Sequence, residues 1–164
     1  MRKLILTAAL VFISSSQAMA CYAEIKEHFS PANDLISRTN NIVLAKVISA
    51  ELQDNGDVKY NFEVIEHLKG SSEKNFSLNG EPLLHDYQTN TFNNHQDAEF
   101  WEDRQGRSSV GNGCDIAPTF SVGAKYLIFI DPPYHRKSFE RISQPFQNKD
   151  KWFEHVRMRT PGEE

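Results

Sequence analysis

The side chains in this sequence with chemistry to offer are two cysteines and a run of histidines and carboxylates. Between Gly80 and Gly113 lie His85, Asp86, His95, Asp97, Glu99, Glu102 and Asp103. Imidazole and carboxylate together suit zinc or another divalent ion, which would make this segment the site of a metal-dependent enzyme. Their spacing matches neither His-Glu-x-x-His nor a calcium-binding loop, and the same residue types solvate an exposed loop. No catalytic residue and no metal ligand is therefore assigned, no cofactor is expected, and a non-enzyme is the preferred class. Ser109-Val110-Gly111 lacks the leading glycine of a hydrolase elbow. Arg104-Gln105-Gly106-Arg107, followed by two serines, offers an anion site, with a solvated turn as the plainer alternative. Glu99-Phe100-Trp101-Glu102 offers two large rings, either as an anchor for a partner or as a pin holding the segment to the body. The other histidines, His28, His67, His135 and His155, are scattered.

The cysteines are Cys21 and Cys114. Cys21 follows a basic pair, Arg2-Lys3, an apolar run from Leu4 to Ile13, and Ala18-Met19-Ala20, the small-x-small pattern that signal peptidase cuts. The apolar run falls short of the roughly 20 residues a membrane-spanning helix needs. Residues 1–20 are thus expected to be a signal peptide and residues 21–164 a single domain, exported to the periplasm or secreted. At the new N-terminus Cys21 has three fates: a disulfide, a lipid attachment, or a metal-chelating N-terminus. Two cysteines in an exported chain most simply form one disulfide. A Cys21–Cys114 bridge closes a loop of roughly 94 residues, worth about 4–5 kcal/mol in the chain-entropy model. A lipoprotein precursor usually has an aliphatic residue where this chain has Ala18, so soluble export is preferred over a membrane lipoprotein. The two fates exclude each other, because a thioether-linked Cys21 cannot form the disulfide.

These groups need elements to position them. Ser30-Pro31 reads as an N-cap and first helical residue, with Ala32, Leu35 and Ile36 as the apolar face of about two turns. Ile42 to Ala50 is a β-branched run expected to be a long buried strand. Asn55-Gly56 suits the positive backbone angles of a hairpin. Val58, Tyr60, Phe62 and Val64 then alternate with polar residues in a strand with one wet face that ends at Leu68-Lys69-Gly70. Asn75 to Leu78 is a third strand, and 80–113 a long inserted loop with one helix-compatible patch, Asp97 to Arg104. A turn at Val122-Gly123 leads into an apolar strand that ends at Asp131-Pro132-Pro133. Phe139 to Ile142 is a last strand and Asp150 to Met158 a closing helix. The meander order argues against a parallel sheet.

Charge narrows the partners. Cleavage before Cys21 removes Arg2 and Lys3, taking Lys+Arg from 18 to 16 against 22 acids, a net charge of −6. Such a surface repels phosphate backbones, so nucleic acid is not an expected partner. A membrane enters only through a lipid on Cys21.

The order of parts resembles a known family. A cysteine at the mature N-terminus precedes a short helix and the strand Ile42-Val43-Leu44-Ala45-Lys46-Val47. An alternating strand then ends in His67-Leu68-Lys69-Gly70, and Cys114 precedes the glycine-led strand Gly123-Ala124-Lys125-Tyr126-Leu127-Ile128-Phe129. This resembles the netrin-like module of the tissue inhibitors of metalloproteinases and their bacterial relatives, over Cys21 to Ile142. The resemblance implies a mainly β fold: an OB-fold-like five-stranded Greek-key barrel with short flanking helices. It matches Cys21 and Cys114 to the family's N-terminal disulfide. It also implies that the amine and carbonyl of Cys21 chelate a protease's zinc, with Cys21, Tyr22 and Ala23 as the contact ridge beside Phe100 and Trp101. The chain departs from the inhibitors at Ala23, where they carry a second cysteine, and at bulky Tyr22, where they carry a small residue. The implied function is a protein-binding module of the cell envelope, with a zinc protease as the candidate partner. The alternatives are the metal-dependent enzyme of the 80–113 loop and a lipid-anchored envelope component.

Overall fold

A computed structural model describes residues 25–83, 94–96, 100, 106–108, 110, 114–142 and 150–160. The chain enters through a 3-10 turn, Lys26–His28, and a seven-residue helix α1, Ala32–Arg38. Strands β1 (Ile42–Leu52), β2 (Val58–Lys69) and β3 (Asn75–Gly80) form an antiparallel meander. After the insertion, β4 (Lys125–Phe129) returns to pair with β1, and β5 (Phe139–Arg141) pairs with β4. The C-terminal helix α2 spans Lys151–Arg159. The strand order β3-β2-β1-β4-β5 is a Greek key, with the fourth strand beside the first, and the fold is mainly β as expected.

Both faces of this sheet are buried where β1 and β4 cross it, which explains their near-continuous apolar runs. Val43, Ala45 and Val47 of β1, Val58, Tyr60, Phe62 and Val64 of β2, and Tyr126 and Ile128 of β4 face one core. Ile42, Leu44, Leu127 and Phe129 face a second core with Leu35 and Ile36 of α1 and Trp152, Phe153 and Val156 of α2. Three register shifts interrupt the β1–β2 ladder. Ile48 and Ile65 are the extra residues at two of them, and at 49% and 45% exposure they point apolar side chains to water. The bulge at Ile65 also moves Leu68 onto the helix-facing core, against the alternation set by Val58 to Val64.

The two edge strands, β3 and β5, do not pair with each other, so the sheet is open and barrel-like. The segment between β3 and β4 spans the gap. Glu81 N–H donates to Pro118 O at 3.1 Å, Val110 forms an antiparallel bridge with Ile116, and Ser108 N–H donates to Arg136 O at 3.1 Å. Phe120 then fills the interior, edge-on to Tyr60, Phe62, Tyr126 and Phe139 at 4.9–5.5 Å between ring centres.

Local details differ from the expected ones by small, explicable amounts. Helix α1 begins at Ala32 with Pro31 as its N-cap, and no side chain caps it. In the β1–β2 turn only Gly56 takes a positive φ, 88°, with Gly56 N–H bonded to Gln53 O at 3.0 Å. This is a longer turn ending in a left-handed glycine, not a two-residue Asn-Gly turn. The helix-compatible patch at Asp97 to Arg104 lies outside the described residues except for Phe100, which is helical.

Candidate functional site

The most highly organised polar site is a buried ion cluster centred on His95, in the short 3-10 turn Asn94–Gln96. His95 Nδ1 lies 2.6 Å from Asp150 Oδ2, and Nε2 lies 3.0 Å from Glu140 Oε2. A carboxylate only accepts, so both ring nitrogens must donate and the ring is an imidazolium. Burial alone would lower the pKa of His95. The hydrogen bonds and charges of Asp150 and Glu140 outweigh that and raise it to about 9. The second oxygens of both carboxylates are also used. Phe153 N–H donates to Asp150 Oδ1 at 2.9 Å, making Asp150 the N-cap of α2, and Arg107 N–H donates to Glu140 Oε1 at 2.6 Å.

Aromatic and cationic groups pack around the cluster. Phe100 sits 5.1 Å from the His95 ring and edge-on to Trp152 at 5.6 Å. The Lys137 ammonium, fully buried, lies 4.8 Å from the centre of Phe100. Arg107 projects into the barrel interior. Its guanidinium lies 4.9 Å from the Tyr126 ring centre and donates to Phe139 O at 2.8 Å and to Thr119 O.

The cluster cannot act as a metal centre or as an acid–base pair open to substrate. Its carboxylates approach opposite edges of the imidazole, so the three groups do not converge on one point. Among the described residues no group of three or more His, Cys, Asp or Glu is placed to hold a metal ion. Of the seven residues considered for a metal site, His95 alone is described; His85, Asp86, Asp97, Glu99, Glu102 and Asp103 lie outside the described residues. Of the two arginines considered for an anion site, Arg107 turns its guanidinium inward onto Phe139 O and Thr119 O, and Arg104 lies outside the described residues.

Phe100 is 3% exposed and belongs to the helix-facing core, so it presents no surface to a partner; it pins the insertion, the other role open to it. Cys21, Tyr22, Ala23 and Trp101 lie outside the described residues. Cys114 is disulfide-bonded and is the one non-glycine residue of positive φ, 67°, among the described residues.

The N-terminal run docks on the same body. Arg38 donates to Glu27 O at 3.2 Å and to Pro133 O at 2.8 Å, and Arg136 N–H donates to His28 O at 3.3 Å. His135, fully buried, accepts from Lys137 N–H through Nδ1 at 2.9 Å, so its proton is on Nε2, which donates to Ser30 O at 2.9 Å. Burial, then the charge of Lys137, lowers the pKa of His135 to about 4, and the ring is neutral. His28 feels the carboxylate of Asp115, the neighbour of Cys114, which counters part of the lowering that its burial causes.

Sequence reasoning missed Glu140 and Asp150 as the partners of His95. A carboxylate in a strand that also carries Phe139 and Ile142 was the available signal, since a buried acid needs a cation. No protein-family model matches the chain, and no curated protein is similar to it.

Proposed function

We propose that this chain is an exported protein-binding module of the cell envelope, similar to the netrin-like module, processed before Cys21 and stapled by a Cys21–Cys114 disulfide. The observation that carries the proposal is the bonded state of Cys114, whose neighbour Asp115 acts electrostatically on His28 of the docked N-terminal run. Cys114 is the only thiol besides Cys21, and the run from Ile25 to Ser30 is fastened by Arg38, Arg136 and His135. A disulfide at this end would leave the α-amine of Cys21 free and its ridge rigid, so little ordering entropy would be lost on docking. An α-amine of ordinary pKa, about 7.7–8.0, is partly neutral at physiological pH and able to join its own carbonyl on a zinc ion. Tyr22 would then enter the partner's first pocket, which selects a protease with a roomy one. The enzyme alternative finds no support in the His95 cluster, whose ring nitrogens are both occupied.

Two measurements test this. Intact mass of the mature protein should be two hydrogens below the reduced mass, and a peptide map should join Cys21 to Cys114; acyl chains on Cys21 or a free thiol would overturn it. Adding one alanine before Cys21 should abolish inhibition of any zinc protease the protein inhibits. Unchanged inhibition would reject chelation by the N-terminus.

A further inference from the structure

We infer that His95 is a proton-operated latch: as an imidazolium held between Glu140 and Asp150, it fastens the Asn94–Gln96 turn to β5 and to the start of α2, and loss of its proton frees that turn. The inference stands apart from the export proposal. Its basis is the geometry of two acceptors on one ring. A neutral imidazole has one N–H, so removing a proton turns one hydrogen bond into a lone pair facing a carboxylate oxygen. Whichever nitrogen loses the proton, one oxygen of a buried carboxylate loses its donor, and that is costly where water is excluded.

The surrounding charges cannot replace the bond. Glu140 faces the ring from β5 and Asp150 from the cap of α2. Lys151, next along α2, donates to Gln96 O at 3.1 Å and is the second, weaker tie on the same turn. Lys137 lies against Phe100, the Arg107 backbone N–H is spent on the other oxygen of Glu140, Arg141 lies close enough to act on the Arg107 guanidinium, and His155 stacks on Trp152 at 5.7 Å. None of these supplies a hydrogen to the oxygens that His95 releases.

The sign follows from the raised pKa. The folded value of about 9 lies above the ordinary 6.5. The latch is therefore closed in full below pH 6.5, still closed at neutrality, and lost as pH rises through about 9. At neutral pH the clamp is thus permanent, and an alkaline environment selectively opens this corner.

The test uses the mature, disulfide-intact protein. Nitrogen-15 spectra of the histidine rings should show both His95 nitrogens protonated at pH 7.5, titrating with a midpoint near 9. Over the same range, amide exchange in the Asn94–Gln96 turn should accelerate at least tenfold beyond the intrinsic pH dependence, while β1 and β4 stay protected. His95→Gln, which donates only through its amide, should show no such step. A neutral His95 at pH 7.5 would overturn the inference. So would an exchange step that persists in the glutamine variant, or one in which β1 and β4 open together with the turn, since the bond would then be a staple of the whole fold.

Discussion

Two buried histidines hold opposite protonation states because their neighbours differ, and each leaves its mark on a different limb of the stability curve. His95 has two acceptors and keeps two protons; His135 has one acceptor and one donor and keeps one. With the folded pKa of His135 near 4, the unfolded chain binds the extra proton first as pH falls below 6.5. Its contribution to stability is complete above pH 6.5 and declines down to about pH 4, by up to roughly 3 kcal/mol. In His135→Gln that part of the acid-side loss should vanish, even though the variant is less stable at neutral pH. Urea unfolding at pH 7 and pH 4.5 checks this: an unchanged difference between the two would show that His135 is not the titrating group.

At the scale of elements, close backbone contacts and backbone angle make different demands on glycine. A Cβ on Gly80, at the end of β3, would lie 1.9 Å from Pro118 O and 3.3 Å from the Tyr60 ring. One on Gly123, at φ +85°, would touch nothing within 4 Å. Gly80→Ala should therefore push β3 off the inserted segment and cost about 2–3 kcal/mol, the scale of overpacking. Gly123→Ala should cost only the left-handed strain of about 1–2 kcal/mol. The two can be separated by their effect on exchange of the Glu81 amide, which donates to Pro118 O. Loss of its protection is expected in the first variant and not in the second.

These elements were legible to different degrees. The runs Ile42 to Ala50 and Tyr126 to Phe129 announced strands because apolar residues buried on two faces leave no room for a polar repeat. The bulges were hidden: Ile48 and Ile65 look like core residues in sequence, and only the ladder reveals them as the unpaired extras. The His95 cluster was half visible. Its histidine stood among acids in the insertion, but its true partners are 45 and 55 positions away. No local spacing encodes a pairing over that distance; it requires the sheet to bring β5 and α2 together. Phe120 was silent for the same reason, since Pro118-Thr119-Phe120 carries no periodic signal.

For the molecule as a whole, Phe120 is the ring on which the barrel interior converges. Phe120→Ala should cost about 3–5 kcal/mol, measured by urea unfolding, because four aromatic neighbours lose an edge-on partner and the cavity is ringed by rigid strands. A loss below about 1 kcal/mol would mean the interior collapses around the gap. Arg107, from the same stretch between β3 and β4, stands on the Tyr126 ring nearby, so side chains fill this part of the barrel interior.

Arg107, Val110, Ile116 and Phe120 serve as missing staves between β3 and β5. The polar stretch in mid-sequence is therefore no ornament. A shortened version of this chain, or a graft of its scaffold, must keep those four positions together with Ser108, Cys114 and Pro118. Cutting the whole stretch and rejoining β3 to β4 would leave a trough open along one side, with the rings of Tyr60 and Phe62 facing solvent.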